Sequence, residues 1–317
     1  MNIYFDNSIN INISKEEFKI FLDMINLNSD KKNLSISPIW KRVIDKFSIQ
    51  KKIIENQASE NILQLYEKYF HNGLSEGACA GKTLHYSFRT KLKYYLREPF
   101  RIKKIVKELL KNGYDENFIN NLPLSRNAYS GGAWKIKVFK YNTLLEISDH
   151  LYFYIFLMNE LKKKNYNDRN LFFIGDGSGF LSNLILNSIE VKKCIFLDLP
   201  QFLIRQRIVN NDFIKISKFL TPCQIKDENL NNFLIINQDS FPEIPINNLK
   251  VYFSYLKNHR VKIIYSYNQK PKDKFHSDFV QLLNSFDGKC ISSYESIIRK
   301  NYYIEKYINK FNSGKND

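Results

Sequence analysis

The run Leu171-Phe172-Phe173-Ile174-Gly175-Asp176-Gly177-Ser178-Gly179-Phe180 constrains the fold more than any other segment of this 317-residue chain. Four apolar residues suited to a strand end in three glycines at alternate positions, and a helical pattern (Leu181, Leu184, Ile185) follows. Downstream, the short apolar runs Lys193 to Leu197, Phe233 to Ile236 and Val261 to Tyr265 alternate with helical stretches at 180–190, 200–210 and 247–257. Strands alternating with helices predict βαβ units, hence a parallel sheet with right-handed crossovers. In such sheets ligands sit at the carboxyl ends of the strands.

A glycine turn in that position brings backbone N–H groups and a helix N-terminus close to a ligand, where a Cβ would block the approach. The next strand ends in Asp198, 23 positions after Gly175. That is close to the offset of about 20 residues at which an acid meets ribose hydroxyls in Rossmann-type sites. Asp198 also reads as a helix N-cap before Pro200. The glycine spacing is tighter than the G-x-G-x-x-G of dinucleotide sites.

Before about residue 165 the periodicity is largely helical. Ser14 to Glu17 reads as an N-cap followed by the apolar stripe Phe18, Phe21, Leu22 and Ile25, and Ser37-Pro38-Ile39-Trp40 opens a second helix. Further helices are expected at 53–70, 88–97, 100–112 and 144–163. Two small-residue interruptions, Gly73 to Gly81 and Ser130-Gly131-Gly132, read either as hinges or lids over a ligand or as plain connections. The expected organisation is α/β: a mainly helical N-terminal domain over 1–145, serving as lid and acceptor site or in oligomerisation, and a Rossmann-like domain over 146–317.

The formal charge of +16 and the 44% hydrophobic content describe a foldable, basic chain. No block of five consecutive basic residues marks a nucleic-acid arm, so Lys-rich solvated helix faces account for the charge and nucleic acid is not the expected partner. Cys79, Cys194, Cys223 and Cys290 form neither CxxC nor zinc spacing and are expected to be buried and reduced, and no metal is expected. The N-terminus lacks a secretory pattern, and the apolar stretch Leu151 to Leu161 is too short to cross a bilayer, so a cytoplasmic protein without a membrane span is expected, as monomer or homo-oligomer.

The tight glycine turn is similar to that of class I S-adenosylmethionine-dependent methyltransferases. Three more segments, Leu197-Asp198-Leu199-Pro200-Gln201-Phe202-Leu203, Ile235 to Ile244 and Ile263 to Asn268, resemble those of the sugar O-methyltransferase family within that class. The likeness spans about 170–270 and, loosely, the Ser37 to Trp40 element. It implies a class I methyltransferase sheet and S-adenosylmethionine as cofactor, held by Gly175, Asp176, Gly177, Gly179, Asp198 and Gln238. It further implies methylation of a sugar or glycan hydroxyl in surface-glycan or nucleotide-sugar metabolism. An acid usually stands two positions before the first glycine, where this chain has Phe173; Asp176 is the expected substitute for holding the methionine ammonium.

Methyl transfer to a hydroxyl requires in-line alignment and a base. The loops after the fourth and fifth strands offer Asp239, then Glu243, as bases, and Tyr267 and Asn268 as sugar contacts. Ser240-x-x-Glu243 reads equally as a capping box, and Tyr265 and Tyr267 as core. His85, His150, His259 and His276 read first as surface or satisfied core residues and only secondarily as bases. Two other functions fit the residues: an RNA methyltransferase, from the charge, and a non-catalytic protein retaining the fold, from Phe173.

Overall fold

The structure is a computed structural model describing residues 2–6, 9–24, 62–70, 74, 88–145, 147–163, 169–259, 261, 263–269 and 288–309. The Ser37 helix, all but Leu74 of the Gly73 to Gly81 loop, His85, His276 and Cys79 lie outside the described residues.

The large sheet contains β4 (Asn170–Ile174), β5 (Lys193–Leu197), β6 (Ser217–Leu220), β7 (Phe233–Gln238), β8 (Ile263–Gln269), β9 (Gly288–Glu295) and β10 (Tyr302–Asn309). Its order is β6-β5-β4-β7-β8-β10-β9, parallel through β8. β10 runs antiparallel to both β8 and β9. This is a doubly wound, Rossmann-like sheet whose strand order reverses between β4 and β7, the place where such folds bind ligands.

The residues 233–236 and 261–265 expected as strands extend to Gln238 and shift to Ile263–Gln269. β6, β9 and β10 carry too little apolar periodicity to be read from sequence; β10, for example, sets Glu305 and Lys306 side by side between Ile304 and Tyr307.

Helices α4 (Ile147–Lys163), α5 (Phe180–Leu186) and α6 (Pro200–Val209) pack on one face, and α7 (Ile246–Asn258) on the other. Strand alternation sends Leu171, Phe173, Phe196, Ile236, Tyr265 and Tyr267 to the first face and Phe172, Ile174, Ile195, Leu197 and Ile235 to the second. Phe173 stacks on Phe196, and Phe196 on Phe219, whose edge meets Phe21. Residues of the N-terminal half, including Phe18, Phe21, Tyr66 and Tyr69, share this first core.

The N-terminal half holds more than helices. α1 (Lys15–Met24), α2 (Ile62–Tyr66) and α3 (Phe88–Lys111) accompany a small antiparallel sheet of β1 (Asn2–Asp6), β2 (Ala133–Val138) and β3 (Tyr141–Leu144). The two helices expected at 88–97 and 100–112 are one: burial of Ile102, Ile105 and Leu109 carries α3 through Pro99, which forfeits one backbone hydrogen bond. The helix expected from 144 begins at Ile147, because Leu144 completes β3.

Ser130-Gly131-Gly132 is a packing junction. Gly131 has φ +81°, and a Cβ there would lie 2.9 Å from the Tyr66 carbonyl oxygen and 2.9 Å from Tyr69 Cβ. Beside it, the fully buried Arg205 donates to Ser130 Oγ (3.0 Å) and to the carbonyls of Ala128 (3.0 Å) and Ser130 (3.2 Å), while its guanidinium lies over the Tyr69 ring. Arg205→Leu fills the space but orphans these acceptors, and is expected to lower unfolding free energy by about 3 kcal/mol in urea titrations. A loss under about 1 kcal/mol would show that this clamp is not stabilising.

Cys194 is buried, as expected, whereas Cys290 is exposed because it sits on the edge strand β9; the side chain of Cys223 lies outside the described residues. Among the described residues no helix is long and apolar enough to cross a membrane.

Candidate functional site

Gly175, Gly177 and Gly179 all have positive φ (+67°, +58° and +78°), so the chain turns from β4 into α5 with backbone only. A Cβ on Gly175 would stand 2.2 Å from both Cβ and Oγ of Ser240. Ser240 is fixed there: its Oγ donates to the Ile174 carbonyl (3.0 Å) and accepts from Asn237 Nδ2. The capping box expected of Ser240 and Glu243 is not formed, because the Ser240 hydroxyl is spent on β4 and α7 begins later, behind Pro245. Glu243 lies in the short 3-10 turn Phe241–Glu243.

Asp198 closes the other side of the turn. Its Oδ2 accepts from the Gly177 N–H (3.0 Å) and from Gln206 Nε2 (2.7 Å), and its Oδ1 from the Leu199 N–H (2.8 Å). Gln206 Nε2 also donates to the Gly177 carbonyl (3.1 Å). Burial pushes the Asp198 carboxyl up to about 7 against these donors.

Asp176 is buried and turned toward Ser182 at the start of α5; its Oδ2 has no hydrogen-bond partner among the described residues. Burial pushes its pKa up to about 8, opposed by Ser182 and assisted by Asp198. Phe173, at the position where the resemblance implies an acid, faces the aromatic core.

The carboxyl ends of β7 and β8 carry two separate groups, divided by strand alternation. On the second face, Asn268 Nδ2 donates to Asn237 Oδ1 (2.7 Å) and Ser266 Oγ (2.6 Å), extending the Asn237 and Ser240 network across three strands. On the first, Tyr267 is buried, shares a hydrogen bond with Ser296 Oγ (2.9 Å), and packs edge-on to Tyr302. Burial raises its phenol pKa. Tyr267 and Asn268 therefore do not converge on one pocket wall.

Asp239, with φ +59°, is ion-paired to Arg299, which leaves the β9 to β10 turn and also approaches Asp149 Oδ2 at 3.6 Å. Burial raises the Asp239 pKa and Arg299 pulls it back. Asp149, in the first turn of α4, is paired in turn with Arg101, which bonds Glu98 (3.1 Å). Next to Asp149, His150 is buried edge-on to Phe180 with its centroid 5.8 Å away. Its Nδ1 and Oε1 of the neighbouring Gln238 make no hydrogen bond of regular geometry among the described residues, although Gln238 lies close enough to favour the protonated ring. His259 instead caps the C-terminus of α7, shortly before β8 begins and so at the opposite, amino-terminal end of the parallel strands.

Sequence reasoning missed Gln206, Asp149, Arg299 and Tyr69, whose hydroxyl meets Ser178 Oγ at 3.0 Å. Asp149 alone left a signal, as an acid in a first helical turn. The others reach the site from 29 to 109 residues away, beyond any local pattern. Among the described residues no group of three His, Cys, Asp or Glu is placed to hold a metal.

No protein-family model and no curated protein matches the chain. Similar solved structures include a magnesium protoporphyrin IX methyltransferase from Synechocystis PCC 6803 with bound SAM, 12% identical over 50% of this chain and 79% of that one, TM-score 0.40. A pyocyanin biosynthetic protein is 9% identical, covering 52% of this chain and 59% of that one, TM-score 0.38. A SAM-dependent methyltransferase from Leishmania major is 12% identical, over 50% and 72%, TM-score 0.39. The fold assignment rests on the strand order and the glycine turn themselves.

Proposed function

We propose that the chain is an S-adenosylmethionine-dependent O-methyltransferase whose acceptor is a sugar hydroxyl. The observation that carries the reading is the Gly177 N–H held by Asp198 at the point where the strand order reverses, with several buried polar atoms on the adjoining elements left unpaired among the described residues. These are Asp176 Oδ2, both amide atoms of Gln201, Gln206 Oε1 and Gln238 Oε1. Buried polar groups without partners are costly, so such a set fits a polar cofactor rather than a closed core.

Gly175 and Gly179 let the turn pack closely on Ser240 and Gln206, Asp198 has lone pairs to spare for ribose hydroxyls, and Asp176 and Gln238 flank the methionine end. When bound, S-adenosylmethionine supplies a sulfonium methyl whose carbon–sulfur bond breaks with both electrons on sulfur. Asn237, Ser240 and Asn268 hold the strand ends in register. Tyr267, Tyr302 and the Asp239–Arg299 pair flank the acceptor side. The likeness of segments 235–244 and 263–268 to sugar O-methyltransferases supports a sugar over other hydroxyls.

Calorimetry with S-adenosylhomocysteine is expected to show saturable 1:1 binding, weakened at least about 30-fold by Asp198→Ala, since a charged hydrogen-bond acceptor contributes about 2 kcal/mol. Unchanged affinity in that variant overturns the cofactor site. Mass spectrometry of surface glycans with and without the protein tests the acceptor. Glycans with identical methyl-ether content would exclude the sugar.

A further inference from the structure

We propose that His150 takes the proton from the acceptor hydroxyl, with Gln238 orienting its ring; this rests on the methyltransferase reading above. α4 starts over the carboxyl end of the sheet, and His150 lies in its first turn, between Phe180, the residue after Gly179, and Gln238, the last residue of β7. Its ring therefore stands beside the glycine turn and the strand end that border the crevice between β4 and β7.

His150 and Gln238 are 9% and 8% exposed and stand within reach of each other, while His150 Nδ1 and Gln238 Oε1 make no hydrogen bond of regular geometry among the described residues. Two adjacent buried side chains with unsatisfied atoms at a strand's carboxyl end point to a bound group that completes them. Asp239, the other candidate, is committed to an ion pair with the Arg299 guanidinium, although burial raises its pKa.

The charged groups facing His150 are Asp149, which favours its protonation, and Arg299 and Arg101, which oppose it. Burial outweighs them and holds the ring's pKa down to about 4, so the imidazole is neutral and its lone pair is available throughout the neutral range. In the reaction the hydroxyl O–H bond breaks toward the His150 nitrogen as the oxygen bonds the methyl carbon. The sulfonium becomes a neutral thioether, and the imidazolium later returns its proton to solvent.

The test observes the His Cε1–H signals by NMR, with His150 assigned by its loss in His150→Gln. Saturating S-adenosylhomocysteine is expected to shift the His150 signal, and His150→Gln to bind that compound within about threefold of the parent chain. Transfer of labelled methyl to extracted glycans is expected to fall at least about 100-fold in the variant. Binding of S-adenosylhomocysteine with an unmoved His150 signal, or transfer within tenfold of the parent, overturns the role of His150 and leaves the cofactor site standing. No binding at all overturns both.

Discussion

Replacing Gly175 with alanine is expected to remove about 2–5 kcal/mol of stability and to abolish binding of S-adenosylhomocysteine. Two costs combine. At φ +67° an L side chain pays about 1–2 kcal/mol in the left-handed region. The new Cβ also falls 2.2 Å from Ser240 Cβ and Oγ, and forcing a methyl into packed surroundings costs about 1–3 kcal/mol.

Ser240 cannot rotate clear, because its Cβ is itself in the way and its hydroxyl joins Ile174 to Asn237. The double variant Gly175→Ala with Ser240→Gly separates the terms. It should recover the steric part and leave the backbone part, giving a favourable coupling of about 1–2 kcal/mol in a urea-monitored double-mutant cycle. Strict additivity would show that Ser240 is not what excludes a side chain at Gly175.

The second large effect concerns Asp176, and its direction is unusual for a carboxylate. Its pKa, pushed up to about 8, and that of Asp198, up to about 7, lie far above the ordinary aspartate value. Both groups hold protons in the folded chain that the unfolded chain has released. Stability of the cofactor-free protein therefore falls as pH rises from about 4 to about 8.

Asp176→Asn keeps the shape and removes the ionisation. At pH 8.5 it is expected to raise Tm by at least about 4 °C, with a smaller rise at pH 5 and little change below about pH 3.5, flattening the profile. Calorimetric scans must be run without S-adenosylmethionine, whose binding would add its own stabilisation. A loss of stability at pH 8.5 would mean that the Asp176 carboxylate is charged and well paired in the folded chain.

How far the site was legible follows the range of the interactions. Gly175, Gly177, Gly179 and Asp198 announce themselves because a tight strand-to-helix turn demands glycine and the next parallel strand must end beside it. The hydrogen bond from Gly177 to Asp198 is the contact that this spacing anticipates. By contrast, the Asp239–Arg299 pair joins residues 60 apart, and the Arg205 clamp joins residues 75 apart. The Ser240 to Glu243 pattern misled for a related reason: as a string it is a capping box, but the Ile174 carbonyl offers the same hydroxyl a partner across the sheet.

The sequence by itself determined the parallel α/β sheet, its glycine turn and the acid facing it, since these depend on strand and helix periodicity and on backbone freedom. Only the tertiary structure decided that Phe173 belongs to an aromatic stack and that Asp176 is buried, with no cation paired to it among the described residues. The same holds for Arg299, which claims Asp239, and for His150, which is buried beside Gln238. Those outcomes turn on which face each strand residue meets and on desolvation, and both are properties of the packed chain.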